Sequence, residues 1–359
     1  MGFLKSLFGS SKEKAPNVVV KVEQKQAVVD VPEKKLSPEV QNLALLFMAE
    51  RYKVGEKNYP QYMRTKYGVG FPNEKYNELA GLGYIRPSTA AESLSHLKAT
   101  ELKDIASRHL LKSSGKKQDI IDRIIAEVPE EMLDAEVTDR YWIITELGHN
   151  LLAKNPYVEY CMEQHPYALE TIGLDIDAIA KLCAQKPVRQ VRDVLWGEFN
   201  RKSLDYYKEG IEKGAFRNYC ELLRVMALFS QEEGRSYDAL ALYARYLYYR
   251  ANFEASMKAL QHYNFVKDLD EATNTLVLHT EFYPFMAQEL LNICNGCGFD
   301  SAQLKSFMND AFSKEHDTGI FSSNALAELV MCGLNGDEAG EKTICRNAMK
   351  AAIKSLPRR

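Results

Sequence analysis

Apolar residues recur three and four positions apart along most of this 359-residue chain, which is the spacing of one buried face of an α-helix. From residue 150 onward the helical pattern is continuous, and no strong strand pattern competes with it. The helices predicted there cover residues 175–184, 188–209, 217–231, 237–249, 253–263, 282–294, 301–312, 322–331 and 338–353. We therefore predict a mainly α protein in which residues 160–355 form an α-helical domain.

One pair of these helices resembles a tetratricopeptide-like helical hairpin. The residues that carry the resemblance are Ala227, Gly234, Tyr237, Ala239 and Tyr243. Because a solenoid needs about three such repeats, a single hairpin does not predict a repeat protein. Four tyrosines in the second helix are expected in the core, with the lining of a peptide groove as the alternative. They are Tyr243, Tyr246, Tyr248 and Tyr249.

The N-terminal part begins with a polar stretch rich in Lys, Glu and Pro, predicted to be a flexible tether over residues 1–36. Three short helical segments follow, then a strand-like segment at 84–86 and a stronger one at 140–145, before a helix that Thr145 can cap. This order resembles a winged-helix domain over residues 37–95 and 135–155. The resemblance implies that residues 84–86 pair antiparallel with residues 141–144. The alternative is a three-helix cap with residues 140–145 as a buried linker.

The segment between the two strands, residues 96–127, holds two amphipathic helical patterns on either side of a basic loop. The helix-spaced apolar residues are Leu102, Ile105, Ala106 and Leu110 in the first pattern and Ile120, Ile121, Ile124 and Ile125 in the second. We expect Ser113 or Ser114 to cap the second helix. Cations at a helix N-terminus are unfavourable unless an anion is bound there, so the loop lysines predict an anion site. The alternative is a solvated loop with incidental lysines.

The order of residues in this segment resembles the SAP domain, a small helix–loop–helix DNA-binding module. The positions that match are Leu97, Glu101-Leu102-Lys103, Leu110 or Leu111, Ser114-Gly115-Lys116-Lys117 and Ile120-Ile121-Asp122-Arg123-Ile124. The resemblance implies binding of double-stranded DNA, often AT-rich, through the loop and the start of the second helix. The residues predicted to bind nucleic acid are Lys112, Ser114, Gly115, Lys116, Lys117 and Arg123. One departure is His109, which stands where the family usually has a glycine, so the first helix is expected to end differently.

The net charge of −3 conceals a gradient along the chain. Residues 1–126 hold 21 Lys and Arg against 14 Asp and Glu, a net +7, which leaves 25 against 35, a net −10, for the remainder. A basic region of this kind supports salt-sensitive binding to nucleic acid, because each neutralised phosphate releases counterions. The acidic total argues against non-specific coating of DNA and favours a DNA-binding part joined to something else.

Several classes of chemistry are not expected. No apolar run approaches the 18 or so residues that span a bilayer, and no signal peptide is recognisable, so we expect a cytoplasmic protein without a membrane partner. The glycine pairs at Gly68 and Gly70 and at Gly81 and Gly83 continue into no phosphate-binding motif. We therefore expect no enzymatic activity, no cofactor and no metal.

The seven cysteines have no regular spacing and are expected to be reduced thiols. Cys294 and Cys297 have the spacing of half a zinc site, and Cys332 and Cys345 are the only further ligands considered for it. The second half lacks a close pair of its own, so buried thiols are the preferred interpretation.

The leading hypothesis is a non-enzymatic DNA-binding protein whose C-terminal helices engage an unknown protein partner or a second copy. This combination of parts resembles proteins of bacteria and prophages. The alternative is a helical interaction scaffold or adaptor in which the SAP-like helices are structural. A third possibility, an enzyme with a convergent site, would need a polar cleft in the helical half.

Overall fold

The structure is a computed structural model that describes residues 36–164, 168–187, 189–315 and 319–355. The predicted tether, except for Leu36, lies outside the described residues. The protein is mainly helical with one two-stranded sheet, which confirms the predicted fold class.

The N-terminal unit alternates short helices with two short strands. Its helices are α1 Pro38–Met48, α2 Tyr62–Thr65, α3 Pro72–Gly81, α4 Ala90–Ser93, α5 Ala99–Arg108, α6 Lys117–Glu127, α7 Glu130–Glu136 and α8 Glu146–Ala153. The strands are β1 Ile85–Pro87 and β2 Trp142–Ile144, and 3₁₀ turns cover Ala49–Arg51 and Leu94–His96.

The two strands form an antiparallel ribbon, with Ile85 opposite Ile144 and Pro87 opposite Trp142. This is the pairing that the winged-helix resemblance implies, and the alternative of residues 140–145 as an unpaired linker is wrong. Helices α4 to α7 lie between the two strands in the chain, so they are an insertion at one end of the ribbon. The assignment of the remaining helices to a winged helix stays a prediction.

The remaining helices follow one another without a further strand among the described residues. They are α9 Tyr157–Glu159, α10 Ala168–Thr171, α11 Ile176–Gln185, α12 Val191–Lys213, α13 Arg217–Glu232, α14 Ser236–Tyr249, α15 Ser256–Val266, α16 Leu269–Thr280, α17 Pro284–Cys297, α18 Ser301–Ser313, α19 Ser323–Asn335 and α20 Glu338–Ser355. Single π-helical turns cover Tyr160–Gln164 and Arg250–Ala255.

Three hydrophobic cores divide this helical succession. The first joins α1, α3 and the ribbon to α12 and α13, and Trp142 stacks on the fully buried Tyr76 within it at 5.9 Å between ring centroids. The second fills the C-terminal helices from Phe216 to Met349. The third belongs to the inserted helices alone and runs from Ala90 to Val137, so this insertion has a core of its own.

Helices α13 and α14 form the packed hairpin of the C-terminal core, with Gly234 at their turn in the left-handed conformation (φ 74°). The four tyrosines Tyr243, Tyr246, Tyr248 and Tyr249 are all buried in that core, which confirms the packing prediction and excludes them from an exposed groove. The tetratricopeptide resemblance of this hairpin stays a prediction.

Candidate nucleic-acid interface

Two helices of the insertion, α5 and α6, pack through the apolar faces that the sequence predicts. Leu102, Ile105 and Ala106 of α5 are buried, as are Ile120, Ile121 and Ile124 of α6. Two predicted members of these faces are not buried: Leu110 is 94% exposed and Ile125 is 49% exposed. Helix α5 ends at Arg108, so Leu110 lies beyond its apolar face, and the half-buried Leu111 packs against the core instead.

Helix α6 begins without a serine cap. Its N-cap residue is Lys116, whose backbone N–H donates to the carboxylate of Asp119 at 3.0 Å. The prediction that Ser113 or Ser114 caps this helix is therefore wrong, because the chain turns into the helix two residues later. The Asp119 carboxylate is also an anion at the helix N-terminus, where the helix dipole favours negative charge. The adjacent lysines are thus compensated within the fold and do not by themselves require a bound anion.

The loop lysines differ in what they contact. Lys112 and Lys116 are exposed, and within the described part of the chain no hydrogen bond or ion pair engages their ammonium groups. The ammonium of Lys117 donates to the carbonyl of Ser95 at 2.6 Å and so ties the start of α6 to the turn that precedes α5. An exposed ammonium retains further donors for a phosphate after one such bond.

The Arg123 side chain holds the basic loop in its conformation. Its Nη2 donates to the carbonyl of Ser114 at 2.7 Å. Gly115 adopts φ 126°, and a Cβ atom there would lie 3.0 Å from the Arg123 guanidinium and 3.1 Å from the Asp119 carboxylate. The backbone conformation therefore favours glycine at position 115, and a side chain there would displace the side chains of Arg123 and Asp119. The structure gives Arg123 a positioning role, and its direct contact with nucleic acid stays a prediction.

The end of α5 is where the chain departs from its expected family pattern. His109 is an ordinary C-cap at φ −93°, whereas the next residue, Leu110, has the left-handed φ of 58° that helix-terminating glycines usually adopt. His109 contacts the carboxylate of Glu136 at 2.8 Å, and Arg108 contacts the same group at 2.6 Å. Arg108, helped by His109, holds the pKa of Glu136 below its usual value and anchors α5 to α7.

One pair of stacked rings and the hydrogen bonds of two serine hydroxyls join the insertion to the ribbon. The His96 ring stacks on Tyr141 with centroids 3.8 Å apart and planes 8° apart. Burial lowers the pKa of His96, and the charge of Lys117 lowers it further, so the neutral ring is favoured in the stack. The buried hydroxyl of Ser88 lies 2.6 Å from that of Ser93 and accepts from the Tyr141 backbone N–H at 2.9 Å. Both ends of the insertion are thus fixed to each other.

Comparison with known proteins finds a family match within the inserted helices, which have a hydrophobic core of their own. Residues 93–127 match the SAP domain family. The match covers 35 of the 359 residues, and no curated protein and no solved structure matches the chain. A SAP domain indicates a role in nucleic-acid binding.

The residues that fix the SAP domain in place were missed from the sequence for different reasons. Asp119 stands three residues after Lys116, which is the spacing of the acidic residue in a capping box, so the sequence does contain this signal. The His96–Tyr141 stack joins residues 45 positions apart, and no local rule predicts such a contact. The helical spacing of Leu110 from Ala106 predicts a position on the apolar face of α5, but the helix ends before it, at Arg108.

The cysteines provide no metal site. The Cys294 thiol donates to the Phe299 carbonyl at 3.5 Å, and Cys345 is buried beside the Thr280 hydroxyl. Among the described residues, which include all seven cysteines, no group of three His, Cys, Asp or Glu side chains is placed to hold a metal ion. No helix within the same residues is long and apolar enough to cross a membrane.

Proposed function

We propose that this chain is a non-enzymatic DNA-binding protein that holds double-stranded DNA through the basic loop of its SAP domain. Its C-terminal helices would serve as a protein-interaction or oligomerisation domain. The observation that carries the proposal is the exposure of the loop lysines on a module with its own core.

Charge and exposure favour a polyanionic partner. Residues 105–118 hold four basic residues, Arg108, Lys112, Lys116 and Lys117, and no acidic residue. All four are exposed. A scaffold in which these helices are only structural would bury the loop against another part of the protein, and the loop lysines instead face solvent. Counterion release on phosphate contact makes such a patch bind duplexes in a salt-dependent way.

The test is a titration of labelled AT-rich duplex with the full chain over a series of NaCl concentrations. The Lys116→Ala/Lys117→Ala variant should bind about tenfold more weakly at moderate salt. Its slope of log K against log salt should fall by about 1.8, because each lost phosphate contact removes about 0.9. The matched control is Lys342→Ala/Lys350→Ala, which removes the same charge from exposed positions on α20.

Equal binding by wild type and the loop variant would refute the assignment of the loop. No binding of the duplex by wild type would refute the proposed function. A GC-rich duplex and an RNA duplex of the same length, used as competitors, decide whether the SAP domain prefers AT-rich DNA. RNA duplexes have a different groove geometry, so a DNA-binding loop should discriminate against them.

One exposed aromatic pair favours the interaction role of the C-terminal helices. Tyr283 and Phe285 stack with ring centroids 5.8 Å apart and planes 7° apart, and they are 38% and 51% exposed. Arg250 lies 5.6 Å from the Tyr283 ring and Arg224 lies 5.2 Å from the Phe285 ring. Exposed aromatic residues beside arginines are the composition of protein-binding hot spots.

A Tyr283→Ser/Phe285→Ser variant should lose self-association, measured by light scattering after size exclusion, or the capture of a defined partner. The control is Phe265→Ser, which removes an isolated phenylalanine that is 89% exposed. If wild type is monomeric and both variants retain every partner, the aromatic pair has no interaction role. Loss of a partner without loss of duplex binding would separate the two proposed functions.

A further inference from the structure

Leu110 combines two features that are unfavourable for a leucine. Its backbone is in the left-handed region at φ 58°, where a side chain crowds the following carbonyl and glycine is preferred. Its apolar side chain is 94% exposed. A glycine here would relieve the strain and remove the exposed apolar surface. Strained residues that persist cluster at sites of function.

Leu110 lies just before the basic loop in the chain. Lys112 follows two residues later and Lys116 six residues later, so the Cα atoms of Leu110 and Lys116 lie at most about 20 Å apart. One turn of B-form DNA is about 34 Å long, so Leu110 and Lys116 are close enough along the chain to contact the same turn of a duplex.

We propose that Leu110 is an apolar contact residue for the duplex and lies against sugar and base edges in a groove. This rests on the proposed function, because it assumes that the basic loop holds duplex DNA. Apolar side chains are used in this way by proteins that bind the minor groove, where they lie against or between base steps. Lysines alone fix a module on the phosphate backbone and carry little sequence information. Leu110 would supply the contact that depends on groove shape.

The contact predicts a signature that differs from that of the lysines. Removal of the Leu110 side chain eliminates burial of apolar surface and no charge. Leu110→Gly should therefore weaken binding about tenfold, which is the loss expected when the burial of one leucine side chain no longer contributes to binding. The slope of log K against log salt should stay unchanged, because no phosphate contact is lost.

The experiment is fluorescence anisotropy with a labelled AT-rich duplex and the full chain, over the same NaCl series. The variants are Leu110→Gly, Leu110→Met and Leu110→Asn. Methionine keeps the apolar contact and should bind within twofold of wild type. Asparagine tolerates the left-handed conformation but is polar, and it should bind as weakly as glycine. Lys267→Gly is the matched control, because Lys267 is the other non-glycine residue with φ 58° among the described residues.

Each outcome is decisive. Binding of Leu110→Gly at wild-type strength, with wild type bound to the duplex, overturns the role of Leu110 and leaves the proposed function intact. A lowered salt slope for Leu110→Gly also overturns it, because the lysines must then have moved. Absence of duplex binding by wild type removes the proposed function, and the inference with it. A shared loss in Lys267→Gly would show a non-local effect and would also count against the inference.

Discussion

Among the residues that the structure describes, two turns contain a non-glycine residue at φ 58°, and the two side chains differ in what they contact. Lys267 ends α15, and its ammonium lies 5.6 Å from the Tyr263 ring centre and 3.4 Å from the Asn264 side-chain oxygen. A cation at a helix C-terminus is also favoured by the helix dipole. Leu110 ends α5 with its side chain in solvent.

The difference separates a turn that is satisfied within the fold from a turn that is not. In the helical domain, the strain at Lys267 is offset by contacts that its own side chain makes. In the SAP domain, the strain at Leu110 has no such local compensation, because a side chain that is 94% exposed gains little from packing. Contacts of its own side chain thus explain the strained turn at Lys267, and the exposed side chain of Leu110 provides no such explanation.

The largest expected effect concerns the glycines of the two regions. Gly115→Ala should reduce the local stability of the SAP domain by about 2 to 3 kcal/mol, since it combines an unfavourable φ with a crowded Cβ. Gly298→Ala, after α17, has φ 71° and open space, so it should cost only about 1 to 2 kcal/mol. Hydrogen exchange of amides in α6 and α17 measures each local stability. Equal losses would contradict the crowding seen at Gly115.

The acidic caps provide the next contrast. Asp268 accepts from the backbone N–H groups of Asp270 and Glu271 at 2.7 and 3.0 Å, whereas Asp119 accepts from that of Lys116. Asp268→Ala should destabilise α16 by about 1 to 2 kcal/mol and Asp119→Ala should destabilise α6 by about 1 kcal/mol. Exchange rates in α16 and α6 report the two losses. A larger effect at Asp119 would mean that its charge also holds the loop lysines.

The strained residues themselves should respond to glycine with smaller and unequal gains. Leu110→Gly should stabilise the SAP domain by about 0.5 to 1 kcal/mol, which is the relieved strain less the added flexibility of the unfolded chain. Lys267→Gly should be close to neutral, because it also removes the contacts with Tyr263 and Asn264. Thermal unfolding, monitored by the hydrogen exchange of backbone amides in each helix, detects the difference between the two variants. A destabilised Leu110→Gly would show that the side chain has a structural role.

The smallest effect is a dependence on acid at the ribbon. Arg86 contacts both carboxylate oxygens of Glu92 at 2.6 and 2.7 Å and, with the Thr89 backbone N–H, lowers the pKa of Glu92 to about 2. A lowered folded-state pKa stabilises the fold above pH 5, and this contribution is lost as the pH falls from 5 to 2. Both side chains are partly exposed, so it should be a few tenths of a kcal/mol.

The measurement is hydrogen exchange of residues 88–96 at pH 5 and pH 3. The Glu92→Gln variant should show less difference between the two conditions than wild type after correction for intrinsic exchange. An unchanged difference would assign the acid response to another group, of which Glu136 is the nearest candidate in the same module.

Sequence periodicity was sufficient for elements that bury a continuous apolar face. It predicted the ribbon, the two SAP helices and most of the C-terminal helices. It missed α16, whose sequence LDEATNTLVLHT mixes β-branched residues with an ordinary helical pattern, although Asp268 caps it clearly. It also missed α7, a seven-residue helix with one buried residue, Leu133.

The candidate site was harder to predict because it is built at helix ends. The loop and its lysines follow from the SAP resemblance, but the roles within the loop depend on where each helix starts and stops. Helix α6 starts two residues later than a Ser114 cap would place it, so the N-cap residue is Lys116 and its backbone N–H donates to Asp119. The contacts of Lys117 with Ser95 and of His96 with Tyr141 are tertiary, and spacing along the chain does not encode them.

The ribbon has a consequence for how such a protein can be assembled. Because Pro87 pairs with Trp142, the chain leaves the ribbon and returns to it at neighbouring points, with Cα atoms about 5 Å apart. A two-residue turn is enough to join such points. The inserted helices therefore leave and rejoin the ribbon at one place, as the turn of a β-hairpin does.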